Sequence, residues 1–208
     1  MCGYPPAGEV SAFAEEQHKF WGFASADATV RARRKEDQNA AAVVGASVLH
    51  FDFLDCIYRR GTNGEWLYST ISVPPHPEDA QLPKQITEAI STRLEPADVL
   101  VCQLSIGSHV DHVLIRYAAE LLGRPLLYDI DIPYMLYKPE EFAPKSSGMR
   151  ESTYPISEAG IRTWQEAVLE YASQLPVLGE AFSTPENARE SIRSYWSEWK
   201  GIRLLQLR

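Results

Sequence analysis

Residues 98–134 read DVLVCQLSIGSHVDHVLIRYAAELLGRPLLYDIDIPY, and this stretch decides the fold. Asp98 to Leu104 (DVLVCQL) is a near-continuous apolar run, the pattern of a strand buried on both faces. The loop Ser105-Ile-Gly-Ser-His109 leads into a helix over 110–122, which Gly123 closes, and a second apolar strand follows over 125–130. Strands that are apolar throughout, alternating with helices, argue for a parallel sheet covered on both faces. Ligands bind such sheets beyond the carboxyl ends of the strands, which singles out the loop after Leu104.

The flanking sequence continues the alternation. Residues 1–10 are rich in Pro and Gly and read as a loop, and 11–22 as a short helix ended by Gly22. Residues 26–44 form a longer helix, capped by Asp27 and stopped by Gly45. Ser47 to Phe53 reads as a strand, 54–80 as an irregular stretch with an Asn63-Gly64 turn, and 82–94 as a helix. Further on, a strand is predicted at 154–157, helices at 159–173 and 187–199, and a terminal strand at 202–207. The expected architecture is a single α/β domain over 1–208, Rossmann-like, with three α-β-α layers and a mostly parallel sheet.

Composition narrows the function. A formal net charge of −8 disfavours nucleic acid, whose phosphates select basic faces. Arg31 to Lys35 is followed at once by Glu36 and Asp37 and reads as a helix face. Three widely spaced cysteines, Cys2, Cys56 and Cys102, make neither a disulfide framework nor a cysteine-rich zinc site, and a reducing cytoplasm is the default expectation. No stretch approaches the roughly 20 apolar residues of a membrane helix, and no secretory leader pattern opens the sequence.

The loop holds the chemistry. His109, Asp111 and His112 are three titratable residues within four positions, where a buried strand gives way to a helix. The helix N-terminus disfavours imidazolium there, and a neutral imidazole can bind a metal through one nitrogen while the other donates to a partner. The plainer reading is a cap or packing histidine. The position after an apolar strand favours the site reading.

These residues resemble the second signature of the LmbE/PIG-L deacetylases: strand, Gly-containing loop, H-x-D-H, helix, short strand, and an acidic-x-Pro-Tyr turn, here Asp131-Ile132-Pro133-Tyr134. Arg33 to Glu36, the Ala-rich helix to Gly45-Ala46, the segment 47–53 and Asp55 are similar to an earlier element of that family. The opening Met-Cys-Gly-Tyr-Pro-Pro resembles the loop after the family's second strand, so the likeness spans roughly 1–135. The resemblance implies a Rossmann-like zinc hydrolase that removes an N-acetyl group from an N-acetylglucosamine-containing substrate. It implies His112 as metal ligand, His109 as oxyanion stabiliser or proton donor, and Asp111 as the residue that sets the state of His109. Arg33, Asp55 and Tyr134 would contact the sugar, and the partner would be a small amino-sugar conjugate, with an oligomer compatible.

The family's first signature, P-H-x-D-D, supplies the other ligands and the base, and it does not occur at the start of this sequence. The expectation is therefore a chain incomplete at the N-terminus, lacking its first strand and helix, inactive alone, and prone to associate. Pro75-His-Pro-Glu-Asp79 copies the letters but stands in the wrong order, and reads as a loop entering helix 82–94. One rival is a non-catalytic remnant or sugar-binding protein of the same fold. The other, a nucleotide-binding protein, would want G-x-G-x-x-G, which is absent. Cys102 and the aromatic group Tyr195, Trp196 and Trp199 read as packing residues, His18 as solvated, His50 as structural, and Tyr128 as a second sugar-pocket candidate.

Overall fold

Four of the longer helices begin where a hydroxyl side chain answers an orphan backbone N–H. Ser11 Oγ accepts from Ala14, Ser25 from Ala28, Ser157 from Gly160 and Thr184 from Asn187, at 2.9–3.2 Å. In the computed structural model, which describes residues 2–208, the helices are α1 (Ala12–Phe20), α2 (Ala26–Val44), α3 (Leu82–Ser91), α4 (Val110–Leu121), α5 (Tyr134–Tyr137), α6 (Phe142–Lys145), α7 (Glu158–Leu169) and α8 (Pro185–Trp199). The strands are β1 (Leu100–Gln103), β2 (Leu126–Asp129), β3 (Met149–Pro155) and β4 (Gly201–Leu207), in the order β1-β2-β4-β3.

The chain divides into two compact units. The first takes in the chain up to Tyr58 together with Thr153–Ile202. Here α2 packs on α7 and α7 on α8, burying Val30, Ala40, Ile161, Ala188 and Ile192. The Trp164 and Tyr195 rings meet edge to face, and Trp196 Nε1–H donates to Ile156 O at 2.9 Å, so Tyr195 and Trp196 are packing residues as expected. The second unit comprises Arg59–Ser152 and Arg203–Arg208. Its core is Cys102, Leu104, Ile106, Leu126, Tyr128, Ile130, Met149 and Leu205. Each of the fully buried aliphatic side chains contributes about 1.5–3 kcal/mol of transfer free energy. Helix α4 is fastened to it by Arg116, which donates to Leu104 O at 2.9 Å and lies over the Tyr128 ring.

Several expectations need correction. Strand β1 pairs parallel with β2, but β2 pairs antiparallel with β4 (Tyr128↔Leu205), so the sheet is mixed. Cys102 and Leu104 are buried while Val99 and Val101 are 76% and 52% exposed, so β1 covers one face rather than two. Ser47–Phe53 forms no strand, because a strand needs a ladder and Gly3 N–H to Phe53 O at 2.8 Å is a single bond. The cap of α2 is Ser25, not Asp27, which pairs with Arg31 at 2.6 Å in the first turn. His18 is buried rather than solvated, with Nε2 2.6 Å from Tyr58 Oη, and burial lowers its pKa. Among the described residues no helix is long and apolar enough to cross a membrane.

Candidate active site

The loop after β1 carries a concentration of unusual backbone. Ser105, Gly107 and Ser108 all have positive φ, at 65°, 85° and 54°. For the two serines this conformation costs on the order of 1–3 kcal/mol each, and such strain persists only where the surroundings enforce it. The enforcing groups are carboxylates. Ile106 N–H donates to Asp131 Oδ2 at 3.0 Å, and Gly107 N–H to Glu141 Oε2 at 3.1 Å. Ser108 Oγ–H donates to the same Glu141 oxygen, and Lys145 bridges Glu141, Ser108 Oγ and Ser105 O. Burial pushes the Glu141 carboxyl up, but Lys145 and the loop donors outweigh it and hold its pKa below the usual value. A Cβ on Gly107 would come 2.6 Å from Tyr134 Cδ1, so glycine is needed there for space as well as for φ.

His109 caps α4, and its Nδ1 accepts the Asp111 N–H at 3.1 Å. In the neutral ring that leaves the proton on Nε2. The Asp111 carboxylate accepts from Arg59 Nη2 at 2.7 Å, and Arg59 Nε lies 2.9 Å from Asp79 Oδ2. Tyr68 donates to Asp79 at 2.5 Å and stands under the guanidinium, and burial, then the Asp79 bond, pushes its pKa up to about 12. Arg59, Tyr68, Asp79 and Asp111 are all buried, so the first turn of α4 is anchored by a buried ionic network.

The His112 ring stacks on His109, with centroids 4.9 Å apart, and meets Tyr134 edge to face at 5.6 Å. Its Nδ1 faces Asp131 Oδ1 at 3.6 Å, and both atoms are buried without a hydrogen bond of normal length. A buried carboxylate behind one imidazole nitrogen is how a metal-ligating histidine is usually oriented. Among the described residues, no cluster of three mutually close His, Cys, Asp or Glu ligand atoms includes His112.

Arg33 and Asp55 come together in the first unit, with Arg33 Nη1 3.4 Å from Asp55 Oδ2 and the guanidinium over Trp21. They line a small cavity with Cys2, Gly3, Thr29, Val30 and Tyr58. Tyr128 is buried, donates to Glu120 at 3.1 Å and lines a cavity with Arg124, Pro125, Leu126, Gln206 and Leu207, and burial pushes its pKa up to about 12. His76 caps the turn Pro77–Asp79, in line with its reading as a loop residue. Cys102 is a packed thiol whose pKa burial drives up to about 12. Glu36 accepts from both N–H and Oγ–H of Ser173, a structural task. Sequence reasoning missed Arg59, Glu141 and Lys145, whose partners lie far along the chain. It quoted Asp131 in a motif without seeing its place behind His112.

This is a fold that deacetylases use. The chain matches the zinc-inhibited form of teicoplanin deacetylase Orf2 at TM-score 0.80 and 24% identity, covering 99% of this chain and 84% of that one. It matches a deacetylase–bog complex from teicoplanin biosynthesis at 0.79 and 26%, covering 99% and 83%. It matches the A40926 pseudoaglycone deacetylase Dbv21 at 0.73 and 25%, covering 100% and 81%. No family model and no curated protein matches the chain.

Proposed function

We propose that this chain belongs to a metal-dependent N-deacetylase of the LmbE/PIG-L kind, which hydrolyses the N-acetyl group of an N-acetylglucosamine-containing conjugate. The observation that carries the reading is buried Asp131, 3.6 Å from His112 Nδ1, the placement of a carboxylate that supports a metal-ligating histidine. The deacetylase neighbours at 25% and 26% identity support it.

In this reading His112 is the ligand that the chain offers to a zinc ion. His109, its Nδ1 engaged by the Asp111 N–H, presents Nε2–H to the developing oxyanion or gives that proton to the departing amine. Asp111, held by Arg59, keeps the first turn of α4 and so the His109 ring in position. Arg33, Asp55 and Tyr134 bind the sugar, and 1–208 acts as one deacetylase domain in the cytoplasm. With one ligand at His112, residues 1–208 alone hold no zinc there and are inactive.

The test sets this chain beside the same chain extended to the nearest upstream in-frame start, with N-acetylglucosamine conjugates as substrate. The extended protein should release acetate, and its His112→Ala and His109→Ala variants should lose at least about a hundredfold in kcat/KM. If neither protein releases acetate under any divalent metal, the enzyme reading falls and a sugar-binding protein of this fold takes its place.

A further inference from the structure

A different set of residues, within the first unit, brings metal-ligating chemistry together. Cys2, Asp37 and His50 each place a ligand atom within 4.8 Å of the other two. Asp37 Oδ2 is the hub, with His50 Nε2 at 2.8 Å and Cys2 Sγ at 3.9 Å. The three come from separate segments: the N-terminal stretch, the middle of α2, and the irregular segment after Gly45.

The surrounding structure builds this convergence. Gly3 N–H donates to Phe53 O at 2.8 Å, tying the chain start to the segment that carries His50. A Cβ on Gly3 would stand 2.6 Å from Asp52 O, so the approach is one that only glycine permits. Arg34, one turn before Asp37 on α2, clamps both segments: its Nε donates to Cys2 O at 2.7 Å and its Nη2 to Asp52 Oδ1 at 2.6 Å. Tyr171 lies beside the Asp37 carboxylate. All three ligand residues are half-buried, so an ion can reach them.

We propose that Cys2, Asp37 and His50 form a binding site for a borderline-soft divalent ion of the zinc class. Thiolate, imidazole and carboxylate are the donor set that zinc accepts, and magnesium or calcium would reject the sulfur. Zinc bonds of roughly 2.0–2.3 Å place tetrahedral ligand atoms roughly 3.3–3.7 Å apart, close to the 2.8 and 3.9 Å that separate Asp37 Oδ2 from His50 Nε2 and Cys2 Sγ. On binding, the Cys2 thiol releases its proton to solvent, and the His50 ring carries its proton on Nδ1 so that the Nε2 lone pair faces the ion. The Asp37–His50 hydrogen bond is exchanged for two metal bonds, and the fourth position is left to water. The site is independent of His112 and of the deacetylase reading.

The experiment uses the 208-residue chain and Co2+ as a spectroscopic probe, followed by Zn2+ competition. One equivalent of Co2+ should raise a near-ultraviolet thiolate-to-cobalt charge-transfer band, which Zn2+ abolishes. Cys2→Ser and His50→Gln, both close in shape to the native residues, should each lose the band, and His112→Ala should keep it. Cys56 and Cys102 are buried, so Zn2+ should also protect one thiol, Cys2, from alkylation in the native protein. That second readout needs no variant to fold. No band and no protection in the native chain overturns the proposal. So does a band that survives Cys2→Ser or disappears with His112→Ala alone.

Discussion

Asp131 does two things at once: Oδ2 takes the Ile106 N–H, and Oδ1 stands behind His112. Removing it should therefore cost more than a surface change. Asp131→Ala leaves the buried Ile106 N–H without an acceptor and should lower stability by about 1–3 kcal/mol in urea denaturation. Asp131→Asn keeps an acceptor for Ile106 and should recover part of that loss. Arg59→Leu is predicted to be harsher. It strands the buried carboxylates of Asp79 and Asp111 without their cation, at about 3–5 kcal/mol, and the urea midpoint should drop accordingly. Gly107→Ala meets Tyr134 and a φ of +85°, and about 1–3 kcal/mol should be lost; a variant as stable as the parent would show that the loop is less constrained than its bonds imply.

At the scale of elements, β3 and β4 carry Glu151 and Arg203, joined at 2.6 and 2.8 Å in a two-pronged pair within the second unit. The hydrogen bond from Arg203 holds the Glu151 carboxyl below its ordinary 4.5. A depressed carboxyl contributes stability above the unfolded value, and that contribution is lost as pH falls through the folded value. Glu151→Gln should thus lower the urea midpoint at neutral pH, and the gap between the two proteins should close as pH drops below 4.5. Helices were legible in the sequence because their signals are local, such as the stops at Gly45 and Gly123, although the cap of α2 lies at Ser25 rather than at Asp27. Sheet pairing was not, since nothing near Tyr128 announces an antiparallel partner at Leu205. Ser47–Phe53 has a strand's composition without a strand's neighbour. The H-x-D-H loop was legible as a spacing, but the network beneath it depends on Arg59, which lies 52 residues before its partner Asp111.

Across the whole molecule, a net charge of −8 opposes association in general, while Val101 on β1 and Val99 just before it, with Tyr117 and Leu121 on α4, leave apolar surface open in the second unit. Exposed apolar surface on a sheet's edge strand favours self-association. The 208-residue chain should sediment as concentration-dependent species, and Val101→Lys should shift it toward monomer; a monodisperse parent would remove the argument. The bonds around the loop carry a consequence for transplantation. Ile106 and Gly107 take their shape from Asp131 and Glu141, so residues 105–112 moved into another scaffold would arrive without the side chains that bend them. A transplant would have to carry Asp131, Glu141 and Lys145 with the loop and Arg59 with Asp111, and a chimera exchanging only H-x-D-H would inherit the letters without the conformation.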